Sequence, residues 1–249
     1  MKWMKRFLAV LLASASAGAG AVGSLADLGL YDRSEGRTLP VHWHGGRAYV
    51  VGKPGNEYQL VVRNRQGEDV LAVMSVDGVN VITGETASVQ QSGYVLSPGR
   101  ALEVKGWRKD LSRTAAFYFT PLPDSYAART GRPDQVGVIG VALYRRKRPE
   151  PEMDIGALSR RQEAPASAES RSADQGAKLG TGHGRSETSY ARQVGFERAT
   201  SEPAETVVIY YDSYANLLAR GIVPRIPPPS PYRPAPDPFP GFVPDPPVH

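Results

Sequence analysis

Residues 70–85, VLAVMSVDGVNVITGE, constrain the fold more than any other stretch of the chain. In the run 70–76 both alternating sets are mostly apolar: Val70, Ala72, Met74 and Val76 on one, Leu71 and Val73 on the other. A strand with that pattern must be covered on both faces, so it predicts the spine of a β-rich core. Asp77-Gly78 follows, a pair suited to a two-residue hairpin turn. A second apolar run, 79–82, then closes at Thr83-Gly84.

The flanking sequence is written in the same period. Leu39, Val41 and Trp43 alternate with Pro40, His42 and His44, and Gly45-Gly46 turns the chain into 48–51, which reads as a hairpin. Tyr58, Leu60 and Val62 alternate with polar Gln59 and Arg63, a strand wet on one side. Further short runs cover 94–96, 102–104, 115–119 and 136–144, separated by Gly and Pro turns. About nine short strands in roughly 110 residues, with turns every 8 to 12, predict an all-β fold. The expected architecture is an antiparallel β-sandwich, jelly-roll or Ig-like, spanning 36–147. One short helix is expected at 124–131, with Asp124 as N-cap and Gly131 as its stop.

Outside that domain the composition changes. Residues 1–21 combine Lys2, Lys5 and Arg6, the apolar run 7–12 and small-residue triplets such as Ala19-Gly20-Ala21, the pattern of an export signal cleaved between Ala17 and Gly23. Those three cations carry three of the five net positive charges, leaving +2 and little electrostatic case for nucleic acid. Residues 148–180 are rich in Pro, Glu, Ser, Ala, Arg and Gln, a disordered linker by composition. Residues 181–223 hold a strand at 207–211 and a short helix at 212–220 with Asp212 as cap. This piece is too small to fold alone, so it is expected to dock on the sandwich. The glycines of Thr181-Gly182-His183-Gly184 read as a turn where the chain rejoins the core. From 224 to 249, twelve residues are Pro, which predicts a polyproline-like or disordered tail. No run beyond the N-terminal signal is long enough for a transmembrane helix. Asp-Ser-Tyr-Ala occurs at 124–127 and 212–215 and reads as two independent helix starts.

Several constellations invite chemistry. His42 and His44 share one face of a strand, a spacing that zinc or copper sites use, with His183, Asp77 or Glu85 as third-ligand candidates. The polar face of a hairpin explains them equally. Asp77, Asn80 and Glu85 supply oxygens for calcium but lack the ordered loop spacing, and a hairpin turn accounts for them. Ser125 and the histidines form no recognisable hydrolase motif, and the chain has no cysteine. The basic run 145–148 reads as a solvated boundary. Trp43, Trp107, Tyr58 and Tyr94 are candidates for a sugar-binding face, with core packing as the alternative. None of these patterns assigns a catalytic, cofactor-binding or metal-ligating residue.

The segments GRTLPVHWHGGRAYVVGKPG, VLAVMSVDGVNVITGE, GYVL, GWRK and AAFYFTPLPDSYAARTGRPDQVGVIGVALY together resemble a widespread family of uncharacterised exported proteobacterial proteins. The resemblance covers about residues 31–145 and, more weakly, 180–224 through TGHGR, GFERA and YYDSYANLLARGIVP. It implies export and carries no activity or ligand residue with it. The function expected from the sequence is a non-enzymatic periplasmic or secreted β-sandwich that binds an envelope protein or glycan, or serves as a structural interaction module. The alternatives are a metal-dependent enzyme or metalloprotein using His42 and His44, and a carbohydrate-binding module.

Overall fold

The computed structural model describes residues 21–148 and 178–225. Among these residues fourteen strands and two short α-helices follow one another. The first seven strands are β1 Ala26–Asp32, β2 Arg37–Thr38, β3 His42–His44, β4 Arg47–Gly52, β5 Glu57–Asn64, β6 Val70–Val76 and β7 Val79–Asn80. Then come β8 Tyr94–Leu96, β9 Ala101–Val104, β10 Gly106–Arg108, β11 Arg113–Pro121, helix α1 Tyr126–Arg129 and β12 Val138–Arg145. After 178 follow β13 Leu179–Thr188, β14 Glu205–Ser213 and helix α2 Tyr214–Ala219.

Two seven-stranded sheets pack as the expected all-β sandwich. The first runs β2-β1-β5, with β9 and β11 sharing the far side of β5, and β11 carrying β10 and β13. The second runs β3-β4-β14-β12-β6-β7, with β8 also on β6. Every pair is antiparallel except β4 with β14, where Tyr49 lies beside Tyr210 and Val51 beside Asp212.

The two-sided pattern of β6 is realised as written. Val70, Ala72, Met74 and Val76 enter the core between the sheets, while Leu71 and Val73 sit on the outer face with Ala142, Tyr144 and Phe196. Opposite them in the core stand Leu28 and Leu30 of β1, Leu60 of β5, and Phe117 and Phe119 of β11, all at most 1% exposed. Each such side chain contributes about 1.5–3 kcal/mol of transfer free energy, so this layer holds the sheets together. Asp77 and Gly78 form the expected turn between β6 and β7, both with positive φ (52° and 69°), the conformation of a two-residue hairpin whose twist matches its strands.

Four expectations give way to the structure. The sandwich starts before residue 36: β1 pairs with β5 along its whole length, from Ala26↔Asn64 to Asp32↔Tyr58. The strand expected to dock from 181–223 is instead an interior strand of the second sheet, with β4 on one side and β12 on the other. Its composition explains this, because Val207, Ile209 and Tyr211 fill the core while Tyr210 packs on the outer face. The glycine tract 181–184 is strand, not turn. It pairs with β11, and the Tyr118 ring lies so close over Gly182 that a Cβ there would collide with it. Both Asp-Ser-Tyr-Ala helices are capped by the serine rather than the aspartate. Ser125 Oγ accepts from Ala128 N at 3.2 Å and Ser213 Oγ from Asn216 N at 3.2 Å. The serine hydroxyl sits one residue nearer the free amides. The glycine stops hold: Gly131 and Gly221 both follow their helices with positive φ. All but the last residue of the expected signal (1–20 of 1–21), most of the linker (149–177) and nearly all of the proline-rich tail (226–249) lie outside the described residues.

Candidate functional site

The sequence candidates scatter across the fold. His42 and His44 stand on β3 at one edge of the second sheet, while His183 lies on β13 of the first sheet beside Trp107 and Tyr126. Among the described residues no group of three or more His, Asp or Glu side chains converges. The calcium reading of 77–85 fails on geometry, since Asp77 turns its carboxylate inward and Asn80 Oδ1 accepts from Ile82 N and Thr83 N instead. Ser125 is spent on its helix, donating to Leu122 O at 2.7 Å while capping Ala128. Tyr58 and Trp107 are core residues, and Trp43 and Tyr94 lie on strands at opposite edges of one sheet, so the four form no common sugar face. The basic run is neutralised where it stands: Arg146 pairs with Asp69, Lys147 with Glu197 and Arg148 with Glu68.

Two features remain that the sequence does not point to. The first is a polar centre buried between the sheets. Asp77 Oδ1 accepts from Tyr211 OH at 2.6 Å and from Gly137 N at 2.9 Å, and Oδ2 accepts from Thr181 N at 2.8 Å. Thr181 Oγ1 lies 2.6 Å from both Tyr211 OH and Tyr58 OH. Tyr211 has one proton and gives it to Asp77, so Thr181 donates to Tyr211 and Tyr58 donates to Thr181. The proton order is therefore fixed along Tyr58, Thr181, Tyr211 and Asp77. Burial pushes the Asp77 carboxyl up to about 6, against the lowering pull of Tyr211 and the three backbone amides. Burial likewise raises both tyrosines well above their ordinary range. Asp77, Tyr58 and Thr181 are fully buried and Tyr211 is 2% exposed, so the network serves to tie β12, β13 and β14 to the β6–β7 turn rather than to meet a substrate.

The second feature is a cleft of about 910 Å³ on the outer side of the fold, where strands β6 and β8 of one sheet meet β9 and β10 of the other. Residues 189–198 run across it as a strap. Ser189 N and Ala191 N donate to Ser112 O and Leu111 O at one end, and Lys147 N donates to Glu197 O at the other. Three arginines staple the surroundings. Arg108 donates to Tyr94 OH, Asp110 O, Ser189 O and Ser189 Oγ. Arg198 donates to Val89 O and Gln91 O while stacking on Tyr144, and Arg146 stacks on Phe196.

Beyond those committed arginines the walls mix polar and apolar side chains, with Ile82, Leu102, Val104, Tyr94 and Phe196 as the apolar part. Four large apolar side chains stand exposed among the described residues. Three of them, Leu111 (52%), Tyr190 (84%) and Val194 (50%), line this cleft. Thr114 also lines it, is 2% exposed, and has an Oγ1 with no hydrogen-bond partner. An unpartnered buried hydroxyl costs about 1–3 kcal/mol. Exposed apolar side chains set around a concave, partly polar surface are the features of a binding groove. No protein-family model, curated protein or solved structure matches the chain.

Proposed function

We propose that this chain is an exported, non-enzymatic β-sandwich of the family it resembles, acting as a binding or structural interaction module of the cell envelope, and that the strapped cleft is its binding site. The observation that carries the reading is the concentration of exposed apolar side chains, Leu111, Tyr190 and Val194, around a cleft with an unpartnered Thr114 hydroxyl. Exposed apolar surface gathered in one place marks a surface that another molecule covers. The exposed trio Leu111, Tyr190 and Val194, two of them aliphatic, favours the apolar side chains of a protein segment over a sugar. Among the described residues no helix is long and apolar enough to cross a membrane.

The test is fractionation of the native host. The mature chain should begin between Ala17 and Gly23 and co-sediment with the envelope. The double variant Leu111→Asp, Val194→Asp should be released into the soluble fraction while melting as the parent does, because exposed substitutions shift stability by within about 0.5 kcal/mol. Identical partitioning of parent and variant, or an intact Met1 in the mature pool, would refute the reading.

A further inference from the structure

Resting on the reading of the cleft as a docking site, we infer that its occupant is the chain's own proline-rich segment, residues 226–249. Three observations converge on it. The first is chemistry. The segment sets eleven prolines among Tyr232, Phe239 and Phe242, and extended proline-rich chains dock in grooves lined by aromatic and apolar side chains. The cleft offers Tyr94, Tyr190 and Phe196 together with aliphatic Leu102, Val104 and Val194, set among polar side chains. Proline lacks an amide proton, so the carbonyls of such a segment are free to accept, and the unpartnered Thr114 hydroxyl is a donor in want of an acceptor.

The second is reach. Ile222 and Val223 pack with Tyr49 and Tyr210, on the same outer face of the second sheet as Leu71 and Val73. From β4 to β8 there are four strand spacings, about 19 Å at about 4.8 Å each. The 24 residues of 226–249 span about 74 Å when extended at about 3.1 Å per residue. The segment therefore leaves the described fold on the face where the cleft opens, with length to spare. Tethering also raises its effective concentration to about the millimolar range, so even weak docking is populated.

The third is charge. The exposed Arg192 lines the cleft, where Lys105 is already paired with Glu103, and the segment carries Asp237 and Asp245 against a single arginine, Arg233.

Photo-crosslinking in the full mature chain tests this. A benzophenone amino acid at position 111 or 194 should join to peptides within 226–249, and one at exposed position 43, which lies outside the cleft, should not. Replacing Phe239 and Phe242 by serine should reduce the yield by roughly tenfold or more, from the lost burial of two rings. Urea unfolding of that variant unchanged from the parent shows that a lower yield is not a folding defect. Mixing isotopically light and heavy chains separates docking within one chain from exchange between two copies, and either supports the assignment. Crosslinks from 111 and 194 that miss 226–249, or equal yields from position 43, would overturn it. If the segment is missed while envelope association still depends on Leu111 and Val194, another protein occupies the groove and the binding-module reading stands. If that dependence is also absent, both fall.

Discussion

Replacing Asp77 by asparagine should change how stability depends on pH, and the size of the change follows from the buried network. The Asp77 carboxyl is raised from 3.8 to about 6 chiefly by burial, with no cation hydrogen-bonded to it. The folded chain therefore holds this proton more tightly than the unfolded chain. Stability from this group is fully present below about pH 4 and is lost as pH rises through about 6. Raising the carboxyl from 3.8 to about 6 corresponds to about 3 kcal/mol, and between pH 4 and 7.5 about 2–3 kcal/mol of it is traversed. Asparagine cannot ionise, so the variant lacks this slope. Its amide oxygen can still accept from Tyr211 and Gly137, while its amide nitrogen faces Thr181 N–H, donor to donor, a constant penalty of about 1–3 kcal/mol.

Urea unfolding of both proteins across pH 4 to 7.5 should show the difference between them moving by about 2–3 kcal/mol in favour of the variant as pH rises. Groups shifted the other way cancel in that difference. Glu57, for example, is lowered by its hydrogen bonds from Arg185 and loses its contribution toward acid. A difference that stays flat, or moves in favour of the parent, would refute the claim that a buried carboxylate lies between the sheets.

Two further outcomes follow from the caps and the strand order. Ser125→Ala should destabilise by about 1–2 kcal/mol in thermal or urea unfolding, while Asp124→Ala stays within about 0.5 kcal/mol, since the serine alone caps α1. Limited trypsin treatment is expected to cut first at Arg160, Arg161 or Arg171. The two fragments should nevertheless co-elute on gel filtration until denaturant is added, because β14 lies between β4 and β12. A C-terminal fragment released under native conditions would contradict that strand order.

The legible parts of the fold were those that local sequence decides. The two apolar faces of β6, the Asp77-Gly78 turn and the glycine stops at 131 and 221 depend on residues within one element, and the structure bears them out. The illegible parts depend on distant partners. β13 hides because glycine is a poor strand former, and its glycines are required only by distant residues: Ser125 and Val136 over Gly180, Tyr118 over Gly182, and Ala116 with Tyr118 over Gly184. The parallel seating of β14 beside β4 leaves no mark in either segment. Asp77 reads as a turn residue, and its carboxylate gains its role only when Tyr211 arrives from 134 positions away. The cleft is likewise assembled from residues 69–114 with Arg146 and 189–198, and its one available clue was the apolar Leu111, Tyr190 and Val194 in otherwise polar surroundings.

The interior position of β14 also governs how this chain folds. A growing or translocating chain completes β4 and β12 well before residues 205–213 appear. Until then each strand presents an open edge of unpaired amides and carbonyls, an invitation to pair with a neighbouring molecule. Closing the gap requires β14 to join a parallel partner more than 150 positions earlier in the chain. Such long-range pairing makes folding slow. The second sheet thus resembles a zip whose middle teeth are delivered last. A chain built this way gains from staying unfolded until its far end has emerged, and one truncated anywhere before residue 213 is expected to aggregate rather than fold as a smaller sandwich.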